Sequence, residues 1–210
     1  MSIEIKRSIK PVDYNKAIEL LEKRLQKIIN NENKELIWFL EHNDIYTGGT
    51  SYSKNDILDK SIKVIKTSRG GKITHHSPGQ LICYFVIDLK KRNKDIRKII
   101  ISIENSIIET LGEFSIEGNS DRKNIGIWIN HNNENKKIAA IGIRVRKWIA
   151  YHGFSINVKN NLDNFKKIIP CGIKNKNVTS LKEISKISYS KFIDILEKKL
   201  IKNLSVSNYF

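Results

Sequence analysis

Three segments of this chain carry residue types that can do chemistry. The first is Arg69-Gly70-Gly71-Lys72-Ile73-Thr74-His75-His76-Ser77-Pro78-Gly79-Gln80. Paired glycines accept positive φ and let backbone N–H groups approach an oxygen-rich ligand. A histidine beside them can donate a hydrogen bond or move a proton. The same residues also read as a long surface turn with two solvated histidines, and at this level both readings stand. A metal site at His75-His76 is disfavoured: adjacent side chains on an extended segment point to opposite faces, and no cysteine or carboxylate lies nearby in sequence.

The second segment is Lys137-Ile138-Ala139-Ala140-Ile141-Gly142-Ile143-Arg144-Val145. Small residues inside a strand let another backbone or a ligand come close. A lysine at the edge of such a strand, held partly out of water, suits proton transfer. The competing reading is an ordinary exposed lysine in a lysine-rich chain. His152-Gly153-Phe154-Ser155 repeats the pairing of histidine with glycine. The third segment, Ile169-Pro170-Cys171-Gly172, places a cysteine on a turn, where a thiolate is accessible. Cys83 lies instead within Leu81-Ile82-Cys83-Tyr84-Phe85-Val86 and reads as an inert buried thiol. If one cysteine is a nucleophile, it is Cys171.

Secondary-structure elements must position these residues. Ile18, Leu21, Leu25 and Ile28 follow a helical period behind a candidate N-cap at Asp13. Residues 35–42 form a short apolar run of strand type, and 61–67 alternate as a second strand. The glycine-containing segment 69–79 reads as a loop, followed by a strongly apolar strand at 80–89. Residues 95–111 predict an isoleucine-rich helix whose packing must supply most of its stability. Residues 125–130 alternate like a strand, and 137–146 with 149–158 predict a hairpin around Arg146-Lys147-Trp148. Ser180 with Glu183 has the form of a capping box, so a helix is expected there, and a last helix over 190–204. With three prolines and no low-complexity linker, the expectation is one α/β (α+β) domain over 1–210, a mixed β-sheet flanked by helices.

Composition narrows the classes. The 210 residues include 38 basic and 22 acidic ones, a net charge of +16, with 40% hydrophobic residues, enough for a core and too many for a disordered tail. No apolar run is long enough to span a bilayer, residues 1–10 lack a signal-peptide core, and two cysteines give no disulfide framework. A cytoplasmic protein with free thiols and no membrane association is expected. Eight of the basic residues are arginine and 30 are lysine, while 38 isoleucines and 22 asparagines indicate a chain-wide compositional bias. That discounts a nucleic-acid-binding module, which would favour arginine for bidentate contacts. Yet residues 60–87, 135–162 and 164–182 carry five, six and five basic residues and no carboxylate. These blocks coincide with the three chemical segments, as a site meeting acidic protein partners would require.

In order and spacing the segments resemble the octanoyltransferase (lipoyl/octanoyl transferase) family. The matching features are Leu40-Glu41-His42 with Tyr46-Thr47 and Gly49; Arg69-Gly70-Gly71 with His76, Pro78, Gly79 and Gln80; and Lys137 through Gly142. They continue with His152-Gly153, Asn157-Val158, Pro170-Cys171-Gly172 and Val178 to Leu181, so the likeness runs over about residues 38–182. The resemblance implies the fold of the biotin/lipoate protein ligase catalytic domain. It also implies transfer of an octanoyl group from octanoyl-acyl carrier protein to a lysine of lipoyl domains in 2-oxoacid dehydrogenase complexes and related proteins.

By match of position, Cys171 is implied to be the nucleophile that carries the acyl thioester, and Lys137 its acid/base partner. Arg69, Gly70, Gly71, Lys72, Ile73, Thr74, His75 and His76 correspond to the family's substrate loop. Ala140, Ile141 and Gly142, with Gly153, Phe154 and Ser155, correspond to two further substrate-contact segments. No metal or dissociable cofactor is implied. Two positions depart from the family: His75 stands where tyrosine is usual and Ser77 where glycine is usual, which alters the wall expected beside the acyl chain. An ATP-dependent lipoate or octanoate ligase of the same fold is the alternative; it needs an adenylate site and no cysteine.

Overall fold

Alternating apolar side chains on central strands divide the protein into layers. The computed structural model describes residues 3–170 and 177–206. Its strands are β1 (Ile3–Arg7), β2 (Glu35–Leu40), β3 (Ile45–Gly48), β4 (Val64–Lys66), β5 (Ile73–His76), β6 (Gln80–Asp88), β7 (Asn119–Ser120), β8 (Ile127–His131), β9 (Glu134–Arg146) and β10 (Ile149–Asn157). The helices are α1 (Tyr14–Ile29), α2 (Ile96–Gly112), α3 (Leu181–Ile184) and α4 (Tyr189–Val206). A seven-stranded sheet has the order β1-β2-β6-β10-β9-β8-β7, and a three-stranded sheet the order β4-β3-β5. Both are mixed, with β1–β2 and β3–β4 parallel and the other pairs antiparallel.

Every residue of β2, β6 and β10 is buried, because helices cover both faces of the large sheet. Leu81, Cys83, Phe85 and Ile87 of β6 join Ile99, Ile103 and Ile107 of α2 and Phe192, Leu196 and Leu200 of α4 in one cluster. Ile82, Tyr84 and Val86 face the other way, onto Ala17, Leu21, Leu25 and Ile28 of α1. Each such aliphatic side chain contributes about 1.5–3 kcal/mol on full burial. Asp13 caps α1 as expected, its carboxylate accepting from the Lys16 N–H at 3.0 Å. The β9–β10 hairpin turns at Lys147 (φ 49°) and Trp148 (φ 63°), two consecutive left-handed residues as a tight two-residue loop requires. No helix among the described residues is long and apolar enough to cross a membrane.

Three local expectations change. Residues 73–76 within the expected loop form β5, which pairs with β3; both histidines are buried, which removes the reading of a solvated turn. That strand carries one aliphatic side chain in four, so it leaves no periodic signal. Of the strand expected over 61–67, only Val64–Lys66 pairs. The capping box at Ser180 does not form: Ser180 makes no side-chain cap, and the Glu183 carboxylate accepts from Thr179 Oγ1 at 2.7 Å instead. A four-residue helix starts there nonetheless.

Candidate active site

Strand register places the small residues of two segments side by side. Ala140 pairs with Ser155, which pairs with Ile82; two residues along, Gly142 pairs with Gly153, which pairs with Tyr84. These two rows cross β9, β10 and β6 and form the floor of a cleft. Residues Arg69 to Thr74, with His76, close it from above. A Cβ on Gly153 would lie 1.9 Å from the Cys83 carbonyl oxygen, and one on Gly142 would lie 3.2 Å from Gly70 O. A side chain on Gly142 would therefore crowd the covering loop, and one on Gly153 would collide with the backbone of β6.

The covering loop is anchored through arginine. Arg69 Nη2 donates to Thr47 O at 2.7 Å and to Thr47 Oγ1 at 2.9 Å, while Nη1 donates to Gly70 O at 3.0 Å. Gly71 takes φ +87°, a conformation glycine accepts at little cost. His76 Nδ1 lies 2.7 Å from Gln80 Oε1 and donates to it. Burial, with His42 and Arg69 near, holds His76 well below the ordinary imidazole range, so it is neutral at physiological pH. His75 points to the opposite face, against Tyr46 and Phe165 and 3.1 Å from Asp44 Oδ1. It does not line the cleft, unlike the other seven residues of the expected substrate loop.

Hydrogen bonds run from this loop to the lysine. Gln80 Nε2 donates to Asn157 Oδ1 at 2.8 Å, Asn157 Nδ2 donates to Thr179 O at 3.0 Å, and Thr179 N donates to Lys137 O at 3.0 Å. The Lys137 N–H donates to Asn177 O at 2.9 Å, so residues 177–179 lie as a short parallel extension beside β9. Lys137 is buried, with Nζ 5.1 Å from the centre of the Trp128 ring. It shares a narrow cavity with Thr74, Gln80, Ser155, Asn157 and Pro170. Cys171 follows Pro170 in the chain and lies outside the described residues, as does Gly172.

The sequence family described as the lipoyl protein ligase A/B catalytic domain matches residues 13–201. The chain belongs to this family. Within it, the chain is 47% identical over 193 residues to an octanoyltransferase of Wolbachia pipientis wMel, covering 91% of this chain and 94% of that one. An octanoyltransferase of Ehrlichia chaffeensis is 44% identical over 200 residues, covering 94% of each. With such relatives over nearly its whole length, this lipoyl protein ligase A/B catalytic domain is an acyltransferase.

The fold agrees with that of solved ligases. The bipartite lipoate protein ligase of Thermoplasma acidophilum superposes with a TM-score of 0.73 at 14% identity, covering 98% of this chain and 84% of that one. The biotin protein ligase of Aquifex aeolicus, in complex with biotin and ATP, gives 0.56 at 16% identity, covering 97% and 70%.

Two residues of the cleft escaped the sequence reading, Ile82 and Tyr84, while His152, singled out beside Gly153, was not expected to line it. Ile82 and Tyr84 sit in the most apolar strand and read as core; only the register with β10 brings them under the cleft. Tyr84 Oη donates to His42 Nε2 at 2.9 Å, and His42 Nδ1 donates to Val12 O at 2.7 Å. His152 takes φ +70° inside a strand, with Nε2 3.1 Å from Ser68 Oγ. Burial, followed by the charges of Arg69 and Arg144, pulls its pKa down to about 3. Gly126 was missed as well. It takes φ +136°, and a Cβ there would lie 2.5 Å from Lys137 Cε and 2.4 Å from Ala139 O.

Proposed function

We propose that this acyltransferase moves an octanoyl group from the thioester of acyl carrier protein to a lysine of lipoyl domains, through a thioester on Cys171. The observation that carries the reading is the buried Lys137, held by residues 177–179 and sharing a cavity with Pro170, the residue before Cys171. The cleft floored by Ala140, Gly142, Gly153 and Ser155 abuts that cavity, and its small, largely apolar floor suits an unbranched acyl chain.

In the first step the Cys171 thiolate attacks the octanoyl carbonyl, a new C–S bond forms, and the carrier thiolate leaves with a proton from the Lys137 ammonium. In the second, the acceptor lysine amine attacks the Cys171 thioester. Lys137, now neutral, takes the amine's proton, the amide forms, and the Cys171 thiolate is released. An ammonium beside the thiol favours the thiolate before the reaction begins. Backbone N–H groups near Gly70, Gly71 or Gly172 are candidates for holding the tetrahedral oxyanion. The acyl donor arrives already activated, so the reaction requires no metal and no dissociable cofactor. A reduced thiol nucleophile suits the cytoplasm.

Intact-protein mass spectrometry after mixing with octanoyl-acyl carrier protein tests this. An acyl adduct is expected on the native protein and none on Cys171→Ala; full adduct on that variant would overturn the mechanism. Lys137→Ala is expected to slow transfer by a factor of about 100 or more while remaining folded. Product formation that requires free octanoate and ATP would instead assign ligase chemistry.

A further inference from the structure

The ladder between β8 and β9 is regular up to Lys137 and then skips a residue. Trp128 pairs with Lys137, but its neighbour Ile127 pairs with Ala139, so Ile138 is an extra residue on β9. Such a β-bulge changes which face the following side chains take. Ile138 and Ala139 are consecutive, yet both belong to the cluster formed with α2 and α4, where Ile127 and Ile129 also lie. Beyond the bulge alternation resumes: Ile141, Ile143 and Val145 pack against that cluster, while Ala140 and Gly142 turn to the cleft floor. In an unbroken strand Lys137 would share a face with Ala139 and Ile141 and point into the apolar core. The bulge puts it on the face of Ala140 and Gly142.

On that face Trp128 is the cross-strand partner of Lys137, since directly opposed residues in an antiparallel pair share a side. Both side chains are buried, and the lysine Nζ lies 5.1 Å from the centre of the indole ring. An ammonium over the face of a tryptophan is held more strongly out of water than at a surface. The ring is itself fixed. Its Nε1–H donates to Asn124 O at 2.9 Å, and Asn124 Nδ2 donates to Asp121 Oδ2 at 2.7 Å. Trp128 lines neither the cleft nor the narrow cavity that Lys137 shares with Pro170. It meets the lysine and not the space that substrate would occupy.

We propose that Trp128 is a positioning residue for the transfer reaction: aligned by the bulge, its ring keeps the ammonium end of Lys137 on the cleft side of the sheet. The inference rests on the reading of Lys137 as the acid/base partner, and it adds what holds that lysine in place. A lysine side chain left to itself samples many rotamers, and ordering it has an entropic cost. Proton transfer to a leaving thiolate, and later from an incoming amine, needs one fixed position for both. A carboxylate could also hold the ammonium, but it would compete for the proton. The indole face has no basic site and holds the lysine without taking part.

Rates of transfer to a lipoyl domain, followed by mass spectrometry over a range of octanoyl-acyl carrier protein concentrations, test this. Trp128→Met is expected to lower kcat about tenfold or more and to leave KM for the donor within about twofold. Trp128→Tyr, which restores an aromatic face, is expected to recover kcat to within about threefold of the native value. In a Lys137→Ala background, Trp128→Met should bring no further loss. If Trp128→Met does not fold, Trp128→Phe is read in its place, with a loss of about threefold that likewise vanishes without the lysine.

A native kcat in Trp128→Met, or a Trp128→Tyr protein as slow as Trp128→Met, would overturn the proposal. A change confined to KM would overturn it too, because it would place the ring in donor binding. So would the same loss from Trp128→Met with and without Lys137, which would leave the tryptophan a role in the fold alone. Native transfer by Lys137→Ala would instead overturn the acid/base reading on which the inference stands. If the expected pattern holds but no adduct forms on Cys171, the positioning role stands and the thioester reading falls.

Discussion

At the scale of single residues, the lysine at the centre of the site is defined as much by its neighbours as by itself. A buried ammonium needs room as well as fixed surroundings. Gly126 supplies the room: with φ +136° and no Cβ, it leaves the space that the Lys137 side chain occupies. Gly126→Ala is therefore expected to displace Lys137 and slow transfer by about 10- to 100-fold, the scale of effect of an ångström-sized misplacement. Steady-state rates would show it, and the double variant with Lys137→Ala should be no slower than Lys137→Ala alone. An additive loss would mean that Gly126 acts on the fold and not through the lysine. The residues that carry the family's pattern, Lys137, Arg69, His76 and the four small residues of the cleft floor, were picked out in the sequence by the order and spacing of their segments, each weak when taken alone. Gly126, Ile82 and Tyr84 were not. An isolated glycine before Ile-Trp-Ile, or a tyrosine inside an apolar strand, acquires its meaning only from what lies across from it.

Elements bring these residues into one place, and they differ in how clearly the sequence marks them. α1, α2, β6 and the β9–β10 hairpin were readable because a sustained period or a two-residue turn leaves a local trace. β3, β5 and the extension at 177–179 left none. They are short, and their backbone groups are satisfied by partners far away in the chain. One side chain joins several of them: Asn157, at the end of β10, accepts from Gln80 at the start of β6 and donates to the carbonyl of Thr179. Asn157→Leu removes the acceptor of two buried amide donors, Gln80 Nε2 and Asn160 Nδ2, and the donor to the buried Thr179 carbonyl. It is expected to cost about 2–4 kcal/mol in denaturant unfolding. Because Thr179 in turn donates to the Lys137 carbonyl, the same variant should also lower the transfer rate under conditions where it remains folded. A stability loss below about 0.5 kcal/mol would show that the bonds are replaced by water.

Over the whole molecule, the charged and titratable groups divide into two populations with opposite relations to solvent. The surplus of lysines lies mainly outside, while the few arginines tie distant parts of the chain together. Arg92 binds Glu35 through two hydrogen bonds inside the protein, and Arg7 binds Asp194 and Glu197 of α4. Four of the five histidines are at most 6% exposed, and around each of them burial is the main cause of a lowered pKa. The consequence for stability has a definite sign. A histidine with a depressed pKa in the folded state binds its proton more readily once unfolded. Its contribution is therefore complete above the unfolded value of about 6.5 and is lost as pH falls. For His152, with a folded pKa of about 3, the loss runs from about pH 6.5 down to pH 3. By pH 5 it amounts to about 2 kcal/mol from this residue alone. His42, His75 and His76 act in the same direction, and so does self-repulsion in a chain that already carries +16 at neutral pH. Thermal unfolding is thus expected at progressively lower temperature between pH 7 and pH 5, with His152→Asn reducing the slope. Asparagine tolerates the left-handed backbone and does not titrate. A midpoint that stays constant over this range would show that the buried imidazoles gain protons without unfolding, and that the network around the cleft opens to water more readily than its hydrogen bonds imply.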